Sequence, residues 1–586
     1  MSKRLAFNRL KRKIIRRLLL FAEGPLLKDA YTDPDYAAWF ERHRTNENEL
    51  KLQRSFNFQT KPLFSIIVPL FKTPIAYLED MASSVLGQSY NHFELILVNA
   101  SPEISGLCNK LDSFSAKDPR VRVVTLDGNA GIAENTSVGL DHAKGDFVSF
   151  LDHDDFIAPD ALFRFAQALE EDPTIDLFYC DEDLVDESGT THLHPLFKPS
   201  YSPDLLLSKN YLVHFLTIRR SLLGSMERQK AELDGAQDYN MTFFATERAR
   251  TVCHIPKVLY HWRMSTNSTL VSPMTKPYTE EAGRQAILKH LQRTNQAGSV
   301  LVSDIQYIYK TDLAIIGNPL VTIVLDMGSG KNSIKRTIAS LVKKAGYPNL
   351  ELIIVTENNL PNVQKIALPV NQVRVDPAAS QAARLNLAAK SAKGSYILFL
   401  ESPMRLQKKG AIRELLMTCQ REQVGAVAAK TLFTDNRVKY CGFALPPNSI
   451  LPLYRGVPKS HPGYFYLLRC KQDISAIPMF GTMVKKSTFD QVGGLNEKYL
   501  SMAMDIEFCM RLTDKGFFLV QMPDVEVKVA ERSPKPCYSS ALDPTDFDKA
   551  EIDTLRRSHP EQWVKPDPYF NINLDQESGY YQIKHA

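Results

Sequence analysis

The chain has 586 residues, 44% of them hydrophobic and 23% charged, with a formal net charge of +5. This composition excludes a disordered or low-complexity polymer and gives length for two to four hydrophobic cores. Eight cysteines stand singly with no Cys-x-x-Cys pair, so the sequence supports neither a disulfide framework nor a zinc site and fits a reducing cytosol.

Between Lys3 and Arg17 lie eight basic residues and no acid, while Phe7, Leu10, Ile14, Leu18 and Phe21 recur at helical spacing. The spacing predicts a basic amphipathic helix. Such a helix either lies on an anionic membrane surface, at about 1 kcal/mol per basic side chain, or docks on the protein itself. No run reaches the ~20 apolar residues needed to cross a bilayer. A polar helical lead-in around Tyr36 to Phe58 completes a first region, 1–61.

From Pro62 a regular alternation begins: strands Phe64–Leu70, Phe93–Asn99, Val121–Leu126 and Phe147–Leu151, with helices near Ile75–Gln88, Glu103–Ala116 and Ile132–Ala143 between them. Strands alternating with helices of this length predict parallel βαβ units, whose ligands sit beyond the carboxyl ends of the strands. Asn99, Asn129 and Asp152 fall there. Asp152, Asp154 and Asp155 crowd three carboxylates into four positions, which is costly unless a cation neutralises them. The same residues also make a polar turn ahead of a helix. Gly128-Asn129-Ala-Gly131 opens the next helix, whose first amides suit a phosphate, with Gly131 allowing close approach.

These residues resemble the family-2 glycosyltransferases. The resemblance rests on Phe64-Ser-Ile-Ile-Val-Pro69, Asn129-x-Gly131-Ile-Ala-x-x-Asn135, Lys144-Gly145-Asp146 leading into Asp152-His-Asp154-Asp155, and Gly235-Ala-Gln-Asp238-Tyr239. Asp181-Glu-Asp183, Phe197-Lys-Pro199, Ser202-Pro-Asp204, Asn210-Tyr211 and Tyr260-His261-Trp262-Arg263 extend it toward bacterial enzymes of O-antigen, capsule and surface polysaccharide. It implies a GT-A fold, α/β and Rossmann-like with a mainly parallel central sheet, in a domain over 62–272. The implied reaction is an inverting transfer of a hexosyl or deoxyhexosyl group from a nucleotide-diphosphate donor to a hydroxyl of a growing or lipid-linked glycan. Mg²⁺ or Mn²⁺ would be the cofactor, and the location cytoplasmic, peripheral to the inner face of the membrane.

By the resemblance, Asp152 and Asp154 hold ribose and metal, Asp238 is the catalytic base, and Pro69, Asn99, Asn129, Gly131 and Asn135 line the donor site. His261 fits either a third metal ligand or a buried core histidine, and Asp238 either a base or a helix cap. Asp155, Asp181, Asp183 and Trp262 are candidates for acceptor contact, though Asp181 to Asp183 also reads as a solvated loop. One departure is Val98-Asn99-Ala100-Ser101, where the family usually ends its second strand in a pair of Asp, which leaves uridine and thymidine donors both open. A Gln-x-x-Arg-Trp motif is lacking, which favours non-processive addition. The competing reading is a non-catalytic glycan-binding or assembly scaffold, and the departure at Asn99 favours it.

The chain also repeats itself. Pro62-Leu-Phe-Ser-Ile-Ile-Val68 aligns with Pro319-Leu-Val-Thr-Ile-Val-Leu325, and Tyr90 to Val98 with Tyr347 to Val355, both displaced by 257 positions. A second domain of the same kind is therefore expected over 319–533, after a connector at 273–318 and before a tail at 534–586. Where the first copy has Asp152 to Asp155, the second has Glu401, Ser402, Pro403 and Met404. Glu401 and Asp505 remain of its site, and one carboxylate cannot replace three, so the second domain is expected to be inactive.

Overall fold

The structure, a computed structural model, describes residues 29–264, 277–327, 334–358, 368–534 and 546–585. The basic segment Lys3–Phe21 lies outside the described residues. No described helix is long and apolar enough to cross a membrane.

β1 (Phe64–Leu70), β2 (Phe93–Asn99), β3 (Val121–Thr125) and β4 (Phe147–Phe150) pair in parallel in the order β3-β2-β1-β4. β1 and β2 have the limits the sequence predicts, and the helices Ile75–Leu86, Ser105–Lys117 and Ile132–His142 follow as expected. Both sheet faces are covered, as a parallel sheet requires. Phe64, Ile66 and Val68 pack with Leu78, Met81 and Val85, while Ile67, Ile96 and Val98 pack with Val138 and Leu140 on the other side. Pro69 sits in this central strand without cost because the β1–β4 pairing stops at Ile67–Phe150. Its missing N–H falls where the two strands have parted, and the carboxyl ends of parted parallel strands are where a ligand crevice forms in such sheets.

Beyond β4 the sheet becomes mixed. β5 (Phe156–Ile157), β6 (Ile175–Val185), β7 (His192–Leu196), β8 (Thr217–Arg219) and β9 (Thr251–Arg263) complete the order β3-β2-β1-β4-β8-β6-β9-β5, with β7 beside β6. β5, β7 and β8 oppose their neighbours, and the other strands share one direction.

A hairpin of β10 (Gly298–Val302) and β11 (Tyr309–Leu313) comes next. The second sheet holds β12 (Val321–Asp326), β13 (Leu350–Thr356), β14 (Val370–Arg374), β15 (Tyr396–Glu401), β16 (Arg405–Leu406), β17 (Val424–Leu432) and β18 (Val438–Tyr440). A small pair, β19 (Phe443–Ala444) and β20 (Leu451–Pro452), precedes β21 (Gln472–Asp473), β22 (Thr482–Lys485) and β23 (Phe518–Lys528). The order β14-β13-β12-β15-β22-β17-β23-β16 repeats the first sheet strand for strand. The displacement of 257 is thus a repeat of a whole topology.

The chain divides into two compact units. Residues 30–201 and 209–310 belong to the first, and residues 311–584 with Ser202–Ser208 to the second. The lead-in helices Tyr36–His43 and Glu47–Ser55 and the helix Pro277–Arg293 therefore go with the first sheet, and the described part of the tail goes with the second. In the Ser202–Ser208 segment, Asp204 is buried and ion-paired with Arg421 and, at 3.3 Å, with Lys471.

Candidate functional site

The Asp152–Asp155 turn follows β4 at the carboxyl ends of these parted strands. Asp155 is fully buried, accepting from Tyr260 Oη at 2.5 Å and from the Arg263 amide at 2.8 Å. Burial, with Asp154 and Asp152 beside it, pushes its carboxyl well above the usual range. It anchors the turn instead of meeting an acceptor, contrary to the sequence expectation. Arg263 completes the anchor: its buried guanidinium donates to the Asp154 carbonyl, to the Glu187 carbonyl and to Asp80 Oδ2, each at 2.8 Å. Asp152 keeps half of its side chain exposed.

Alternation along β9 decides which side chains join Asp152. Tyr260 and Trp262 turn to one face, where both rings meet His214, Tyr260 stacked at 4.5 Å and Trp262 edge-on at 5.1 Å. His261 turns to the other. There its Nδ1 bonds Asp183 Oδ1 at 2.7 Å, among Phe40, Phe156 and His192. Asp183 is fully buried and also accepts from Tyr36 Oη and pairs with His192 Nδ1, both at 2.8 Å. Asp181, buried too, accepts from the Lys198 amide and pairs with His254 Nε2. The structure therefore sets Asp181 and Asp183 in buried polar packing, away from the acceptor contacts expected of them, while Asp183, His192 and His261 each offer a ligand atom within 4.8 Å of the others, a group separate from Asp152.

The middle acid of that run is the one near the site. Glu182 Oε2 lies 2.8 Å from Lys198 Nζ and 3.3 Å from His214 Nδ1. Burial alone would raise the Glu182 carboxyl, but Lys198 and His214 outweigh it and hold it below its ordinary value. His214 Nε2 in turn stands 3.9 Å from Asp152 Oδ2. Burial opposes the imidazolium, yet Glu182 and then Asp152 raise its pKa overall. Asp152, Asp155 and His214 each offer a ligand atom within 4.8 Å of the others. Carboxylates with one imidazole suit a divalent cation, Mn²⁺ better than the oxygen-preferring Mg²⁺.

Asp238 joins the group from the first turn of the helix Gln237–Thr246. Asn210 Nδ2 donates to its Oδ2 at 2.7 Å. Its carboxyl is raised by burial and by Asp152, against the lowering effects of His214, the Tyr239 amide and Asn210. Asp238 thus sits in the electrostatic field of both Asp152 and His214. The sequence motifs single out Asp152 and Asp238, contain Glu182 only as the unassigned middle of Asp181-Glu-Asp183, and do not include His214. The only signal for His214 is its place four residues after Asn210 in a quoted motif.

The expected nucleotide residues are distributed differently. Asn99 is buried, its Oδ1 accepting from the Ser101 amide at 3.0 Å and its Nδ2 facing Cys108 Sγ. Asn129 Oδ1 accepts from Gly131 N and Asn135 Nδ2, both at 3.0 Å, so these three residues shape the loop by binding one another. The helix start expected to take a phosphate already holds an anion. Asp234 Oδ1 accepts from the Ala133 amide at 3.1 Å, and a Cβ on Gly131 would stand 2.7 Å from Asp234 Oδ2. Asp234→Ala is expected to cost about 1 kcal/mol, the ordinary loss of a helix cap, read as a lower urea midpoint of the first unit's transition.

In the second unit, Asp505 Oδ2 accepts from the Met479 amide at 2.9 Å. Burial pushes both Glu401 and Asp505 up to about 7. Two carboxyls half-protonated at neutral pH make a poor cation site.

Residues 65–224 match the profile described as "Glycosyl transferase family 2". That span runs from β1 through β8 and takes in the Asp152–Asp155 turn, Glu182 and His214. This stretch is similar to the family-2 glycosyltransferases. The whole chain is similar to "Uncharacterized protein y4gI" of Sinorhizobium fredii, 30% identical over 538 residues, covering 88% of this chain and 58% of that protein. It is also similar to "O-antigen biosynthesis protein RfbC" of Myxococcus xanthus, 27% identical over 553 residues, covering 92% of this chain and 42% of that one. The chain spans about half the length of these curated relatives. Against the solved structure of S. aureus TarS 1–349 the TM-score is 0.29 at 20% identity, covering 40% of this chain and 73% of that chain. The first sheet extends past the matched span, since β9 lies beyond residue 224.

Proposed function

We propose that the first unit transfers a sugar, with inversion and one residue at a time, from a nucleotide-diphosphate donor to a hydroxyl of a surface or lipid-linked glycan. One observation supports the reading: His214, four residues after the Asn210 that holds Asp238 at 2.7 Å, stands 3.9 Å from Asp152, and Asp238 interacts electrostatically with both His214 and Asp152. Asp152 and Asp154 would hold the donor through Mn²⁺ or Mg²⁺, which when bound neutralises the diphosphate. Asp238 would take the proton of the acceptor hydroxyl as that oxygen attacks the anomeric carbon. The new C–O bond forms as the sugar–phosphate bond breaks, and its electron pair leaves with the diphosphate. Arg263 and Tyr260 would keep the turn rigid meanwhile, so that little reorganisation accompanies the step.

The relative named for O-antigen biosynthesis supports a surface polysaccharide as product. The basic segment Lys3–Arg17 supports work at the cytoplasmic face of an anionic membrane. The second unit, keeping one carboxylate where the acidic turn has three, would serve as a platform without chemistry.

A thermal-shift panel of uridine and thymidine diphosphate sugars, with and without Mn²⁺, tests this reading. A donor at 100 times its Kd should stabilise by about 2.7 kcal/mol, only with Mn²⁺, and not in Asp154→Ala. Stabilisation by no donor would leave the scaffold reading in its place.

A further inference from the structure

Two copies of one topology, one with an acidic turn and one without, allow a comparison inside the chain. Ser149 pairs with Thr217 in the first sheet, and Leu398, its match when Ala143-Lys-Gly145 is aligned with Ala392-Lys-Gly394, pairs with Met483 in the second. Three residues before Thr217 stands His214, and three before Met483 stands Phe480. Likewise Ile175–Thr251 and Val424–Phe518 open the same parallel ladder, and seven residues on come Glu182–Tyr260 and Thr431–Val527. The second unit therefore has Thr431 for Glu182 and Phe480 for His214, together with Glu401 for Asp152 and Pro403 for Asp154. Its sheet order is unchanged. The fold does not need the Glu182–His214 pair, and the pair is missing where the Asp-x-Asp turn is missing; Asp183 and His261 are replaced there too, by Leu432 and Lys528, so the choice between the two histidines rests on their geometry.

The geometry of His214 suits a metal ligand. Its buried Nδ1 lies 3.3 Å from Glu182 Oε2, close but without the alignment of a hydrogen bond, and a carboxylate beside one ring nitrogen is what fixes the tautomer of a metal-binding imidazole. Its Nε2 lies 3.9 Å from Asp152 Oδ2. That is beyond a hydrogen bond, yet two ligand atoms each ~2.1 Å from one ion can stand up to ~4.2 Å apart. The ring is held by its stack on Tyr260, and its carbonyl accepts from Lys198 Nζ at 2.8 Å.

We propose that His214, oriented by Glu182, is the imidazole ligand of the cation that Asp152 helps to hold, and that His261 takes no part. The inference rests on the cation-assisted reading above. Mn²⁺ added to the full chain tests it, with affinity followed by electron paramagnetic resonance and bound nitrogen by electron spin-echo modulation. The expected result is directly coordinated ¹⁴N in the unmodified protein, retained in His261→Gln and lost in His214→Phe, the residue type the second unit tolerates. Mn²⁺ affinity should fall at least tenfold in His214→Phe and roughly 10- to 100-fold in Glu182→Gln, the usual effect of removing such an outer carboxylate. Bound Mn²⁺ without nitrogen coupling, or coupling lost in His261→Gln alone, would overturn the assignment while leaving the donor reading intact. Failure of the unmodified protein to bind Mn²⁺ would remove both. If His214→Phe does not fold, the spectra of the unmodified protein, His261→Gln and Glu182→Gln decide by the same criteria.

Discussion

Asp238→Asn is expected to lower the rate constant of sugar transfer about 10³-fold, within the 10²–10⁴ range of a positioned general base, while donor binding in the presence of Mn²⁺ stays unchanged. The reason is geometric. Asp238 lies in the first turn of the helix Gln237–Thr246, and Asn210 Nδ2 already holds its Oδ2 at 2.7 Å, leaving Oδ1 to take the proton. An amide of the same shape keeps the packing but cannot accept the acceptor's proton. Stopped-time transfer assays with the donor selected by the thermal-shift panel, alongside thermal shifts of the variant, check both halves. The pH dependence has a definite sign. The base works only when ionised, and burial with Asp152 raises its carboxyl above the ordinary 3.8 despite His214 and Asn210. The rate should therefore fall as pH drops, beginning above the ordinary carboxylate value. A variant that loses donor binding as well as rate would place Asp238 in the donor site instead.

Asp183→Ala carries the largest expected cost in stability, roughly 3–5 kcal/mol for removing one partner of a buried charge pair. Three elements meet on this fully buried carboxylate: Tyr36 of the lead-in helix, His192 of β7 and His261 of β9. Its loss leaves two imidazoles and a phenol buried without their common acceptor. The urea midpoint of the first unit's transition should drop sharply, while the fraction still folded binds Mn²⁺ as before. Loss of Mn²⁺ binding with no loss of stability would instead make the Asp183–His261 pair part of the cation site. The pH sense follows from the native pKa. Burial would raise Asp183, but His261 and His192 outweigh it and hold the carboxyl below 3.8. This contribution is complete above the ordinary carboxylate value and is lost as pH falls through the lower native one.

How much of this was legible in the sequence depends on the physics behind each feature. β1 and β2 are readable to the residue, because continuous apolar runs bounded by turn signals have one solution in a sheet covered on both faces. The repeat is readable because βαβ units bring the same residue types to the same offsets. Asp152 and Asp154 stand out as clustered charge, and Asp238 through its motif. The faces of β6 and β9 do not. Register shifts at Cys180/Asp181 and Asp181/Glu182 break simple alternation, so three adjacent acids cannot be sorted from spacing, and Glu182 passes unnoticed between two structural neighbours. His214 sits at a φ of +56° ahead of the short β8, where no periodicity points. Asp234 meets the Ala133 amide from 101 positions away, a capping that local sequence signals cannot express.

The second unit sharpens the argument about the first. With the same strand order it keeps Asp505 at the base position yet replaces the acidic turn, Glu182 and His214, and its remaining carboxyls drift up to about 7. On the reading proposed here, a carboxylate at that position would have no donor to act upon. Glu401→Gln and Asp505→Asn should therefore leave the transfer rate within a factor of two.

A crystal of the full chain soaked with Mn²⁺ and the nucleotide diphosphate of the preferred donor tests the account most directly. The account predicts one nucleotide per chain, in the crevice beyond β1 and β4, with Mn²⁺ touching the Asp152–Asp154 turn and Asp238 facing the open side of the diphosphate. Nucleotide bound beside Glu401 and Asp505, or Asp238 walled off from the diphosphate by protein, would contradict it.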